Sequence, residues 1–483
     1  MSEKMLKEKV AGGVAWSIAE KVGSMLLQMV VSIVVARLLV PEDFGVIAIL
    51  TFFTSLSLVM VDSGFSQTLI RKESPSAEDY HSVFAFNVAV AVMLYAVLVA
   101  VAPAVARYYD LPVIAEIAPV LFLLLPINAL CVIQNTIFTR EFRFRLLSQA
   151  TFAASLVAGA VAIAMALMGC GVWSLVGQRV TTLAVKTAIL WICSDWRPSH
   201  RFTMRPVREM APFSFRLLST DLIASIYNNI SQMFIGKIYS ADTLGFFNQA
   251  QKFKDLPLTS AMQSVQSVTY PAFSKIGDQR EKFAESYRQV LMVVAFMLFP
   301  VMTGIAAVAE DLFALLLGEK WMPTVPYLQI LCLTGLFQPL AIIAYNILKV
   351  KSNGAIILRL EIAKKALMTI ILAVTIPHSV MAVAWGLVAM SFCEFAINFG
   401  ASMRYSALGV WQMVRTLLPT TIITAAMVAA VQFVGEAMCD FGVVARLGAE
   451  IGVGVAVYTL LAVLFRLEAV REIRGLLAKM LTK

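Results

Sequence analysis

The feature that most limits what this chain can become is a succession of long apolar runs separated by short polar loops. They fall near 11–36, 41–62, 82–104, 113–136, 147–169, 171–194, 209–236, 243–272, 287–308, 323–347, 355–376, 379–402, 411–434 and 447–466. A helix that crosses a bilayer needs about 20 mostly apolar residues, and each run reaches that length. The runs are continuous and about twice too long for the strands of a membrane barrel. With 60% of 483 residues hydrophobic and 14% charged, the chain has far more apolar surface than an ordinary soluble core absorbs, since soluble proteins are nearer a quarter charged. The expected fold is an all-α, multi-pass membrane protein of about fourteen transmembrane helices.

The net charge of +9 does not point to nucleic acid, because of where the cations lie. With the N-terminus inside, the loops on that side and the two tails hold about 26 of the 39 Lys and Arg, and the opposite loops about five. That bias places both termini in the cytoplasm and requires an even number of spans. The charged N-terminus precedes an apolar run too long for a cleavable signal and interrupted by Glu20 and Lys21, so it reads as a retained first helix. Six cysteines without a CxxC pair and three scattered histidines suggest no metal site and no disulfide framework.

One junction is written twice. "RLLVPEDFGVIAI" (37–49) and "KIYSADTLGFFNQ" (237–249) each run from a cation (Arg37, Lys237) through Pro41 or Ala241 and an acid to Gly45 or Gly245. Trp173 and Trp385, each followed by Leu-Val, and Asn135 and Asn346 repeat the correspondence at a similar offset. The simplest account is a duplicated six-helix unit, residues 1–200 and 201–405, with two further helices and a basic tail in 406–483. Six is even, so the copies are parallel repeats, which pack as two lobes with the substrate site between them. The acid and the small residue suit a helix N-terminus, and the glycine permits close helix approach. Gly45 and Gly245 are therefore hinge or gate candidates.

These stretches, with "DSGFSQTLIRK" (62–72), "ADTLGFFNQAQKFKDLP" (241–257) and "LLLGEKWMPTVPYLQIL" (315–331), resemble polysaccharide exporters of the multidrug/oligosaccharidyl-lipid/polysaccharide superfamily, in the branch of Wzx-type flippases. The resemblance implies fourteen helices in two lobes around a central cleft. It also implies a lipid-linked (undecaprenyl-pyrophosphate) oligosaccharide as substrate, for lipopolysaccharide or exopolysaccharide biosynthesis. Membrane lipids are implied partners, with polysaccharide polymerase and chain-length proteins beside them, and no cofactor or nucleic acid.

Charges inside a span cost roughly 2.5–3.5 kcal/mol each on insertion scales, so polar stripes should face protein or water. Ser17, Glu20, Ser24, Gln28 and Ser32 share one face of the first span; Ser214, Asp221, Ser225, Asn228 and Gln232 that of the seventh; Asn248, Lys252, Asp255, Thr259 and Gln266 that of the eighth. The second span offers Thr51, Thr54 and Asp62. The plain alternative is interhelical glue, but stripes this long favour a cleft lined by spans 1, 2, 7 and 8. Its substrate-binding candidates are Lys21, Arg216, Asn228, Asn248, Lys252, Lys254 and Gln266, a cationic set suited to an anionic passenger. Glu20, Asp62 and Asp221 are the ion-coupling candidates. Arg179, Lys186, Lys364 and Lys365 read as snorkelling or structural. No GxxxxGK[ST], GxSxG or HExxH motif is present, and the longest loops are about fifteen residues, short beside the usual connections that carry soluble catalytic domains. The expectation is a transporter and not an enzyme, with an ion-coupled multidrug-type exporter as the alternative.

Cysteine labelling from either side checks the topology. Both termini and residues 140–145 and 197–208 should react from the cytoplasm, and 37–43, 107–112 and 309–322 from outside. External reactivity at position 201 would overturn the fourteen-span map.

Overall fold

The structure, a computed structural model, describes residues 23, 25–198, 202–276, 280–352, 354–406 and 408–472. Every described element is helical. In order these are α1 (Met25–Leu38), α2 (Pro41–Asp62), α3 (Phe65–Arg71), α4 (Ala77–Tyr109), α5 (Val113–Leu121), α6 (Leu124–Arg140), α7 (Phe144–Leu167), α8 (Trp173–Cys193), α9 (Met204–Ile238) and α10 (Ala241–Ile276). Then follow α11 (Arg280–Ala307), α12 (Ala309–Leu316), a 3-10 turn (Glu319–Thr324), α13 (Val325–Cys332), α14 (Thr334–Lys351), α15 (Gly354–Thr375), α16 (Val380–Ser406), α17 (Val410–Ala437) and α18 (Val443–Leu464). Thirteen of the fourteen apolar runs coincide with a helix or a broken helix, and the described part of the run at 11–36, from residue 25 on, is helical. Among the described residues nine are long and apolar enough to cross a membrane by length and composition. The 35-residue α9 and 36-residue α10 are longer still, and carry the polar stripes read from the sequence.

Two compact units form, Met1–Gly245 and Phe246–Lys483. Within each, one span is broken at the same place. The first unit splits its fourth run into α5 and α6; the second splits the corresponding run into α13 and α14. Hydropathy alone reads each as one segment, since the break falls within apolar sequence.

Lipid as solvent explains the packing. Val92, Met93 and Val97 of α4, Ile422 of α17 and Val455 and Leu460 of α18 are all more than half exposed, an arrangement that suits acyl chains and not water. Between helices the contacts use small residues, which bring backbones close. On α7 the buried positions include Ala150, Ala154, Ala158, Gly159, Ala162 and Ala166, and a Cβ at Gly159 would press on Val31 of α1 at 2.6 Å. In the second unit Phe273, Phe283, Tyr287, Leu291, Phe395 and Phe399 pack into one hydrophobic core cluster. Interhelical hydrogen bonds supplement it: Asn346 Nδ2 donates to Thr269 Oγ1 (2.9 Å), Asn398 Nδ2 to the Ala341 carbonyl (3.2 Å), and the Tyr458 hydroxyl to the Phe296 carbonyl (2.7 Å).

The twice-written junction has a direct structural meaning. In the first unit, the opening turns of α2 and α10 lie backbone to backbone. A Cβ at Gly45 would overlap the Ala241 carbonyl and stand 2.9 Å from its Cα. A Cβ at Gly245 would overlap the Pro41 carbonyl, 2.8 Å from its carbon and 3.3 Å from the Gly45 nitrogen. Positions 41 and 45 of one copy thus meet 245 and 241 of the other, the self-complementary pattern of a two-fold contact.

Neither glycine tolerates a side chain. Gly45→Ala and Gly245→Ala should each destabilise the protein by about 1–3 kcal/mol or more, as over-packing does. Gly400→Ala, where nothing lies within 4 Å of the added Cβ, should be neutral or gain up to about 1 kcal/mol of helix propensity. Thermal unfolding of the detergent-solubilised variants reads the difference; equal midpoints for all three would refute the contact.

Candidate functional site

The first unit carries an open polar cavity of about 660 Å³, with Asp221 and Asn228 exposed along it, within the usual range for ligand pockets. Three helices supply its walls. From α2 come Ser55, Leu58, Val59 and Asp62, spaced as one helical face. From α6 come Asn128, Val132, Asn135, Thr136 and Thr139, and from α9 Asp221, Ala224, Ser225, Asn228 and Asn229.

Its end is shaped by the stretch "DSGFSQTLIRK". Ser63 and Gly64 both take left-handed backbone (φ 49° and 69°), which stops α2 and starts α3. Gly64 is needed twice, for its φ and because a Cβ would approach the Ser214 carbonyl of α9 to 2.6 Å. The Ser66 hydroxyl donates to Asp62 Oδ1, fixing the carboxylate at the rim. Thr68 and Ser214 share a hydrogen bond (2.7 Å), and the Arg71 guanidinium lies 4.5 Å from the centre of the Phe213 ring. The exposed carbonyls at the end of α3 are collected by Arg140, which donates to Leu69, Ile70 (3.5 Å), Lys72 (2.6 Å) and Glu73 (3.1 Å).

Within the cavity several groups are already committed. Asn135 Nδ2 donates to Cys131 Sγ (3.2 Å) and Asn229 Nδ2 to the Ser225 carbonyl (2.8 Å). Thr136 and Thr139 donate to carbonyls one turn back, at 2.9 and 2.7 Å, leaving their oxygens able to accept. Asn128, Asp221 and Asn228 have no side-chain partner among the described residues. The lining combines two carboxylates, four amides and five hydroxyls, with no Lys or Arg. Such a set can donate to and accept from a polyhydroxylated ligand at many points.

Three of the sequence-derived candidates, Asp62, Asp221 and Asn228, come together here. Arg216 lies on α9 outside the lining and is exposed. Asn248, Lys252, Lys254 and Gln266 belong to the second unit on α10; Lys252 and Gln266 are exposed, while Lys254 is buried and pairs with Asp255 at 2.8 Å. Glu20 and Lys21 lie outside the described residues. Gly45 and Gly245 sit at the junction contact, apart from the cavity. Sequence reasoning missed the α6 wall, although Asn128, Asn135 and Thr139, spaced 7 and 4, form a stripe of the kind it used elsewhere. Of the cations read as structural, Arg179 of α8 donates to Thr51 (2.8 Å), one turn from Ser55 on α2. Lys364 is buried against Glu361 (2.5 Å) and Glu394 (3.4 Å).

Known proteins share this architecture. The chain is similar to the "Succinoglycan biosynthesis transport protein ExoT" of Rhizobium meliloti (strain 1021), 25% identical over 340 residues, 70% of this chain and 69% of that protein. Among solved structures it superposes on "Lipid II flippase MurJ, inward closed conformation" with a TM-score of 0.74 at 14% identity, over 94% of this chain and 99% of that one. An inward-facing multidrug resistance MATE transporter of the MOP superfamily gives a TM-score of 0.64 at 15% identity, over 79% and 95%. At these identities the two likenesses establish the fold. Residues 34–326, more than half of the sequence, match the model of the polysaccharide biosynthesis protein family, and the chain belongs to that family.

Proposed function

We propose that this protein is a flippase that moves a lipid-linked oligosaccharide across the bacterial inner membrane for lipopolysaccharide or exopolysaccharide assembly. The observation that carries the reading is the cavity of the first unit, lined by amides, hydroxyls and carboxylates and free of cations. Sugars are held by such groups through paired hydrogen bonds to neighbouring hydroxyls. Membership of a polysaccharide biosynthesis family, and the names of the succinoglycan transport relative and the lipid II flippase, support the same substrate class. In this reading the saccharide enters the cavity while the lipid tail stays in the bilayer, and alternating access of the two repeats carries the sugar across.

The phosphates need a separate account. Arg216 of the first unit and Lys252 of the second, both exposed and outside the sugar cavity, are each candidates for the anionic head, whereas Lys254 is taken up by Asp255. Two negative charges moving outward across an inside-negative potential gain about 2.3 kcal/mol each per 100 mV, so roughly 4–5 kcal/mol is available without a nucleotide. Asp62 and Asp221 provide ionisable groups on the cavity wall for a coupling ion. The two acids also suit a lipophilic cation, the passenger of a multidrug exporter. Against that second reading, the lining holds no aromatic ring.

The test uses a deletion strain. Loss of the gene should leave lipid-linked repeat units on the inner leaflet, and Asn128→Leu or Asn228→Leu should reproduce that accumulation, lowering export at least about tenfold, the scale of losing one or two hydrogen bonds to the passenger. Arg216→Ala and Lys252→Ala should do the same with the protein inserted and abundant. Phe433→Leu, on a lipid-facing position 72% exposed, should export normally. Normal export from both asparagine variants, or efflux of a lipophilic cation that they abolish, would reject the proposal.

A further inference from the structure

The second unit holds another cavity, of about 790 Å³, at one end of three helices. Its walls are the first turns of α11 and α17 and the segment that follows α18, residues 465–469. The 28 residues of α17 make a helix of about 42 Å at 1.5 Å per residue, longer than the ~30 Å hydrocarbon core. Its opening turns therefore stand at headgroup level. Trp411 (77% exposed) and Phe465 (64% exposed) flank the cavity, and exposed aromatics at helix ends belong to the membrane interface.

The charges in this cavity are unequal in their commitments. Arg288 is spent: it donates to Glu285 (3.0 and 3.1 Å) and to Glu468 (2.6 Å). Arg415 and Arg466 line the same cavity and have no carboxylate and no side-chain hydrogen bond among the described residues. Arg466 is held there by a costly backbone, with φ 48° in the left-handed region that non-glycine residues avoid. The turn is fixed by the Leu467 N–H donating to the Ala462 carbonyl (3.2 Å), so the guanidinium is carried by a locked turn and not by a free tail. Pro419, also in the lining, has no N–H, and so leaves the carbonyl of Arg415 without its helical donor. The cavity thus offers two guanidinium groups without a carboxylate partner and, beside Pro419, a carbonyl without its helical donor, with Glu281, Glu285 and Glu468 also in the lining.

Two guanidinium groups lining one cavity at headgroup depth match a phosphate diester whose substituent carries a donor. We propose that this cavity binds the phosphate of a membrane phospholipid headgroup, in the leaflet that faces the C-terminal tail, through Arg415 and Arg466, with the headgroup's hydroxyl or ammonium on the open carbonyl. Basic pockets between membrane helices are known to bind such headgroups. The site lies in the second unit and involves none of the residues assigned to the transported saccharide, so it stands whether or not that assignment holds.

Native mass spectrometry of the full-length protein, titrated with short-chain phosphatidylglycerol, tests it. The wild type should retain one lipid tightly, and Arg415→Ala/Arg466→Ala should weaken retention about tenfold or more, the scale for losing charge-assisted hydrogen bonds. Thr416→Glu places a carboxylate in the lining without removing either arginine. It should weaken retention as well, which keeps the test decisive if the double variant does not fold. Inorganic phosphate at equal concentration should not displace the lipid. Equal retention in wild type and variants, or displacement by phosphate alone, would overturn the proposal.

Discussion

The contact between Gly45 and Gly245 sets the terms for the first unit. Two helix N-termini meet there with nothing between their backbones, and any side chain at either glycine would drive them apart. In water such an approach would bury little apolar area. In a bilayer, where helix association rests on close van der Waals packing and not on hydrophobic exclusion, it is among the strongest fixed points available. The residues that make it are those that a duplicated junction repeats. A two-fold contact built from one sequence element used twice needs only one successful arrangement, which then serves both copies.

The same solvent logic separates glue from site. Polar side chains in these helices mostly find a partner within the bundle, as Asn346 does with Thr269, Tyr458 with Phe296 and Thr68 with Ser214. Such bonds average well under 2 kcal/mol in membranes and fix which helix faces which. Asn128, Asp221 and Asn228 differ in having no side-chain partner among the described residues while they share a 660 Å³ cavity. Bundle packing does not account for them. Hydrogen bonding to a hydrated or sugar-filled cavity does.

How far this could be read from the residues depends on the kind of signal. Span number and helix type follow from apolar length, which the bilayer thickness enforces, and the expected runs coincide with helices wherever the residues are described. Asp62, Asp221 and Asn228 were visible because a carboxylate or amide inside an apolar run is conspicuous. The α6 wall was not: Asn135 drew attention as a repeat landmark, and Asn128 and Thr139 sit in a run whose hydropathy stays high around them. The breaks between α5 and α6 and between α13 and α14 carry no polar marker either. Which cation is committed was also beyond the pattern. Lys254, two residues beyond Lys252 and off its helical face, is buried against Asp255, a pairing that spacing along α10 does not reveal.

Most cations placed near the membrane are consumed by the fold, and that gives meaning to those that are not. Arg140 closes the end of α3, Lys72 pairs with Asp79 at 2.6 Å, Arg446 with Asp311, and Lys364 with two glutamates. Each such pair offsets the desolvation of its own charge and leaves little to attract a ligand. Arg179, Arg216, Arg415 and Arg466 have no carboxylate among the described residues. A guanidinium cannot discard its charge as a lysine can, so at membrane depth it recruits a hydroxyl, as Arg179 does with Thr51, or a phosphate brought by something else. For a protein whose proposed passenger and surrounding lipids both carry phosphate, the uncommitted arginines are the groups whose charge the fold leaves for a phosphate, and the cation-free cavity lined by α2, α6 and α9 is the one we propose for the sugar.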